Sequence, residues 1–141
     1  MKTIIDFGVN GLYTNGTAGE FHTQSEAEFD AVNQLVSKLC NRRNLPFQIG
    51  VSHMSAQISL ERLRRSLAFH PCAFQVILPD WVMVGYEEAA TYLRTMAEAA
   101  APIGLVLYNP PHAKRRLAPK EMGQQASQGY APLRTSEYLT Q

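Results

Sequence analysis

Segments with strand character and segments with helix character take turns along this chain, and that alternation restricts the fold more than any other feature. Gly11-Leu12-Tyr13-Thr14-Asn15 is a short β-prone run ending in a glycine-rich turn. Thr23-Gln24-Ser25-Glu26 then has the form of a capping box, with a hydroxyl to accept an amide and a carboxylate to reach back. Phe29, Val32, Leu35, Val36 and Leu39 follow at helical spacing and predict an apolar stripe of about four turns. Phe47 to Ser52 is the second strand segment. The next helix, Ala56 to Phe69, carries Leu60, Leu63 and Leu67 on one face, with Arg62, Arg64 and Arg65 elsewhere. His70-Pro71 stops it, because a residue before proline avoids helical angles. Ala73 to Pro79 is a third strand, and Tyr86 to Ala100 a third helix with Ala89, Leu93, Met96, Ala97 and Ala100 on its stripe. Ile103 to Asn109 is a fourth strand, apolar enough to lie in a parallel sheet covered on both faces.

Strict alternation with short connections predicts a parallel α/β arrangement. The ends do not look like those of a finished domain. Residues 1 to 8 read as the tail of a helix without its preceding strand. A last helix starts at Pro119-Lys120-Glu121-Met122, and no strand of the earlier kind follows it. Residues 123–141 are rich in Gln, Ser and Thr, with Leu133 and Leu139 the only aliphatic side chains larger than Ala. The expected division is a domain over 1–122 and an atypical, poorly ordered tail over 123–141.

Composition narrows the functional classes. Of 141 residues, 45% are apolar and 18% charged, a globular balance. Thirteen Lys and Arg stand against twelve Asp and Glu, which argues against a basic nucleic-acid surface. No apolar run approaches the roughly 18 residues of a membrane span. Asp6 interrupts the first apolar residues, so no export signal is read and a cytoplasmic chain is expected. Cys40 and Cys72 make no disulfide framework and read as reduced structural thiols.

In parallel α/β sheets, ligands sit beyond the carboxyl ends of the strands. After the first strand comes Gly16-Thr17-Ala18-Gly19-Glu20, a turn whose amides can form a nest for a carboxylate or phosphate; an ordinary βα turn fits it as well. His53 follows the second strand, as a base or as a loop residue. Tyr108 closes the fourth, with an apolar ring and a hydroxyl that needs a partner. His112-Ala113-Lys114-Arg115-Arg116 is a short basic cluster, suited to an anionic substrate tail or to solvent. The four histidines show no i,i+4 pairing, and no metal or other cofactor is expected.

Gly16-Thr17-Ala18-Gly19-Glu20-Phe21, placed after a strand and before a capped helix, resembles the glycine-threonine signature of the dihydrodipicolinate synthase and N-acetylneuraminate lyase family. Tyr108-Asn109-Pro110-Pro111 is similar to that family's Tyr-Asn-x-Pro segment, and the stretch from Ile77 to Ala101, leading to Ala101-Pro102-Ile103, is similar too. Each motif alone is a weak signal; the two in order, on the right elements, are specific. The resemblance covers residues 1 to 120. It implies part of a (β/α)8 barrel, strands two to five with their helices, about four parallel β/α units. It also implies pyruvate-dependent aldol addition or cleavage through a lysine Schiff base. Gly16, Thr17, Ala18 and Gly19 would then seat the carboxylate of a small 2-oxo acid such as pyruvate, and Thr17 would join a proton relay with Tyr108.

Departures from the family pattern carry more weight than the matches. Ala18 stands where many members have a second Thr, Trp81 takes the place of a second relay Tyr, and Ala113 that of a synthase-branch Arg. The family lysine comes one strand after Tyr-Asn-x-Pro, and Lys2, Lys38, Lys114 and Lys120 lie on no such strand. The implied chain is a truncated member, inactive alone and able to self-associate. The alternative is a small open α/β module that binds an anion or a partner chain without catalysis.

Overall fold

The computed structural model describes residues 4–79, 81–111, 113–127 and 134–136. Strands and helices alternate: β1 (Leu12–Thr14), α1 (Glu26–Asn41), β2 (Phe47–Gly50), α2 (Ala56–Ser66), β3 (Ala73–Val76), α3 (Tyr86–Ala100), β4 (Gly104–Tyr108), α4 (Pro119–Ser127) and β5 (Arg134–Ser136). All strands are parallel, in the order β1-β2-β3-β4-β5. Sequence order without reversal is how a barrel wall is laid down; a doubly wound sheet would switch direction.

The register divides side chains between two faces. Phe47, Ile49, Phe74, Val76, Leu105 and Leu107 point to the helices and are buried against Phe29, Leu63, Leu93 and Met96. Tyr13, Gln48, Ala73, Gln75 and Val106 share the opposite face. Burial on both faces holds at the centre, where Gln75 and Val106 are buried, and fails at β1, where Tyr13 is exposed. α3 keeps the expected boundaries, and its whole expected stripe is buried.

Four details differ from expectation. The cap of α1 is Ser25, two residues past Thr23: Ser25 Oγ accepts from the Glu28 amide (3.3 Å) and Glu28 Oε2 from the Ser25 amide (2.9 Å). Thr23 instead donates to the Glu20 carbonyl, closing the preceding turn. The buried stripe of α1 is Phe29, Asn33, Ser37 and Cys40, while Leu35 is 59% exposed and Val32 is exposed too. Polar contacts of Asn33 rotate the helix away from its most apolar side. Arg62, expected away from the face that carries Leu60, Leu63 and Leu67, is 0% exposed. Its guanidinium pairs with Glu26 (2.7 Å), donates to the Ser52 carbonyl (2.8 Å) and lies 4.6 Å above the Phe29 ring.

The fourth difference is at the C-terminus. Helix α4 runs to Ser127, past the expected boundary at 122. Arg134–Ser136 then pair in parallel with Val106–Tyr108, although no strand was expected there. Strand pairing joins backbones, so a polar segment without an apolar pattern can still add to an edge. The rest of the expected disordered tail, residues 128–133 and 137–141, lies outside the described residues. No helix among the described residues is long and apolar enough to cross a membrane.

Candidate functional site

Beyond the carboxyl ends of the strands the chain forms a cleft of about 290 Å³. Thr17 and Tyr108, the two hydroxyl residues singled out from sequence, both line it. They reach it from opposite ends of the central sheet, Thr17 after β1 and Tyr108 closing β4.

The turn that carries Thr17 is held from beneath by buried amides. Thr14 Oγ1 donates to Asn33 Oδ1 (2.7 Å), and Asn15 Nδ2 donates to Asn33 Oδ1 (3.2 Å) and the Gly50 carbonyl (3.0 Å). Asn33 Nδ2 in turn donates to the Phe29 carbonyl of its own helix (2.8 Å). Asn15 takes a left-handed conformation (φ 58°), tolerated by Asn better than by most residues. Gly50 lets this corner form, since a Cβ there would meet the Thr14 and Asn15 carbonyl oxygens at 2.8 Å. At Gly16 a Cβ would run into the Tyr13 ring at 2.7 Å.

The Gly16-to-Glu20 turn is a short 3₁₀ helix, Thr17–Gly19. The Gly19 amide donates to the Gly16 carbonyl and the Glu20 amide to that of Thr17. An outward nest made by all its amides is therefore not what forms. The amides of Thr17 and Ala18, at the start of the helix, are those the turn can offer to an anion.

The Tyr108-Asn109-Pro110 corner is organised by Asn109. Its Nδ2 donates to the Leu117 carbonyl (3.0 Å) and its Oδ1 accepts from the Leu117 amide (3.2 Å). One side chain thereby closes the loop over residues 110–116 and brings Pro110 and Ala113 to the cleft. The basic cluster points elsewhere: Lys114 Nζ donates to the Trp81 carbonyl, and Arg115 pairs with Glu121. His112 lies outside the described residues.

Other sequence candidates resolve as structural groups. His53 Nδ1 accepts from the Ser55 amide (3.0 Å), so its ring helps to start α2. Burial, reinforced by the Arg62 charge, pushes the imidazole below its ordinary pKa. Trp81 is 81% exposed and does not line the cleft. Cys40 is buried and Cys72 exposed, both unbridged. Among the described residues no three His, Cys, Asp or Glu side chains gather to hold a metal. Gly50, Asn33 and Asn15 were missed from sequence, and Asn109 was noted only as part of its motif, without a role; of the first three only the glycine, which breaks the apolar run of β2, left a signal. A larger crevice, about 500 Å³, lies between α2 and α3. It holds none of the candidate residues.

A family model described as the dihydrodipicolinate synthetase family matches residues 1–127. The chain belongs to that family. A trans-O-hydroxybenzylidenepyruvate hydratase-aldolase from Sphingobium xenophagum is 25% identical over 111 residues, 78% of this chain and 33% of the relative. A 4-hydroxy-tetrahydrodipicolinate synthase from Sorangium cellulosum (strain So ce56) is 32% identical over 104 residues, 74% of this chain and 34% of the relative. The chain thus spans about a third of the length of these curated relatives. Among solved structures, a prophage protein of the dihydrodipicolinic acid synthase family from E. coli K12, in complex with pyruvate, superposes with a TM-score of 0.80 at 25% identity. That match covers 88% of this chain and 41% of the other. The fold is therefore a portion of the family's TIM barrel, built from parallel β/α units. β5, with Arg134, Thr135 and Ser136, pairs with β4 beyond the residues that the family model matches.

Proposed function

We propose that this chain carries the carboxylate seat and the tyrosine of a pyruvate-dependent aldolase or lyase site, and that residues 1–141 alone do not form the Schiff base. The observation that carries this reading is the shared cleft of Thr17 and Tyr108. In it, the Thr17 and Ala18 amides hold the carboxylate of a 2-oxo acid by charge-assisted hydrogen bonds. In a site completed by an amine from outside these residues, the Thr17 hydroxyl and the Tyr108 phenol would pass the proton that carbinolamine formation and collapse require. The pyruvate bound in the E. coli K12 relative supports the choice of acid.

The nucleophile is what these residues do not supply. β5 pairs Ser136 with Tyr108, and no lysine of the chain lies on β5. Lys114, the lysine nearest in sequence to Tyr108, is turned to the Trp81 carbonyl. With β1 and β5 at the sheet edges and Tyr13 uncovered on the inner face, self-association in solution is part of the same proposal.

Titrating the 141-residue chain with pyruvate, followed by amide NMR, is expected to shift the Thr17 and Ala18 resonances. Borohydride added with pyruvate is expected to leave the intact mass unchanged. An adduct on any lysine overturns the missing-nucleophile reading, and undisturbed Thr17 and Ala18 amides overturn the carboxylate seat.

A further inference from the structure

We infer that Asn33, on α1, is a positioning residue for the carboxylate seat: through the corner that follows β1 it aims the Thr17 and Ala18 amides. The inference rests on the carboxylate reading above and assigns a residue that the acid does not touch. Asn33 is 0% exposed and lines no part of the cleft.

The chain leaves β1 by a change of direction at Asn15, in the left-handed region at φ 58°. Gly16 is extended again (φ −75°, ψ 175°), and Thr17 opens the 3₁₀ helix. With peptide units planar, the torsions of Asn15 and Gly16 decide where the next two amides point. Gly16 has no side chain to be held by, so the hold falls on Asn15. Its Nδ2 is fixed at two points, the Gly50 carbonyl on β2 and Asn33 Oδ1 on α1. The same Asn33 oxygen accepts from Thr14 Oγ1. One buried atom thus ties two consecutive corner residues to the helix. The bond from Asn33 Nδ2 to the Phe29 carbonyl fixes which end of the amide faces them.

Packing alone does not call for this arrangement. α1 turns Asn33 and Ser37 inward while Leu35 and Val32 stay exposed. Asn15 Oδ1 is buried and finds no donor among the described residues, an outcome that folded proteins mostly avoid. Apolar contact is non-directional, whereas hydrogen bonds fix an orientation. An asparagine at 33 therefore does what a leucine there could not. Nor do the corner donors depend on it to be satisfied. Without Asn33, Thr14 Oγ1 keeps the Gln48 carbonyl (3.4 Å), and Asn15 Nδ2 keeps that of Gly50. Stability and aim are thus separable at this position.

Pyruvate titrations of the 141-residue chain and its variants, followed at the Thr17 and Ala18 amides, test this beside urea unfolding. Asn33→Leu is expected to displace both resonances before pyruvate is added and to weaken pyruvate about tenfold. Its urea midpoint should stay close to that of the unaltered chain. Thr14→Val should weaken pyruvate several-fold. The double variant should bind no worse than Asn33→Leu, because both changes act on the same bonds. Leu93→Val, a buried site on α3, should lower the urea midpoint and leave pyruvate binding unchanged. Native-like binding by Asn33→Leu, or losses that add in the double variant, overturns the inference while leaving the carboxylate seat standing. So does Asn33→Leu unfolding the chain, or Leu93→Val weakening pyruvate as much as Asn33→Leu does. If pyruvate moves neither amide in the unaltered chain, the seat itself is wrong and the inference falls with it.

Discussion

The two faces of this sheet ask different things of the rest of the chain. On the helical face, Phe74 and Leu107 meet Leu93 and Met96, which come from the helix between their own strands. The core there joins strands to helices near in sequence and neighbouring helices to one another, so a few β/α units suffice to make it. On the inner face, Tyr13, Gln48 and Gln75 point to where the strands across a closed barrel would lie. Stability in this piece is thus local, whereas the cleft at the strand ends is lined from β1 and β4, which are not neighbours in the sheet.

Substitutions can break or sharpen that contrast. The largest expected effect is Phe74→Ala, which empties a fully buried ring site on the helical face. It should cost about 3–5 kcal/mol, measured by urea unfolding. Gly50→Ala comes next. Its methyl would meet two carbonyl oxygens at 2.8 Å, and neither can swing aside as a side chain would. A loss of about 1–3 kcal/mol is expected, together with displaced Thr14, Asn15 and Thr17 amide resonances.

Acid should act mainly on the α1–α2 contact. Burial raises the Glu26 carboxyl, but hydrogen bonds and charge from Arg62 and Arg65 outweigh it and hold the group below its ordinary value of 4.5. A carboxylate depressed in the folded state contributes stability that is full above its unfolded pKa and is lost as pH falls through the folded one. Unfolding free energy should therefore decline as pH drops below about 4.5, and Glu26→Gln should flatten that decline. Because Glu26 is half exposed, the effect at neutral pH should stay under about 1 kcal/mol. Tyr108→Phe is the smallest change: stability should hold within about 1 kcal/mol. A loss comparable to that of Phe74→Ala would show that the strand ends help to hold the fold together.

Legibility from sequence followed the same division. The order of elements and the stripe of α3 could be read because apolar spacing records burial against a neighbouring helix or strand. α1 misled because Asn33 is buried by hydrogen bonds to Thr14 and Asn15, partners that only the β1–α1 packing reveals. Arg62 misled for a related reason: its counter-ion sits on a different helix, and Phe29 shields its charge from water. The motifs pointed to Thr17 and Tyr108, which line one cleft. Gly50 was not singled out, because its necessity depends on the register that sets β1 against β2.

Asn109 holds Leu117 across seven intervening residues by mimicking a pair of main-chain bonds. The stretch it spans is anchored at its two ends, so Pro111, Lys114 and Arg116 lie exposed between fixed points. Evolution can rewrite positions 110 to 116 without renegotiating the anchor points.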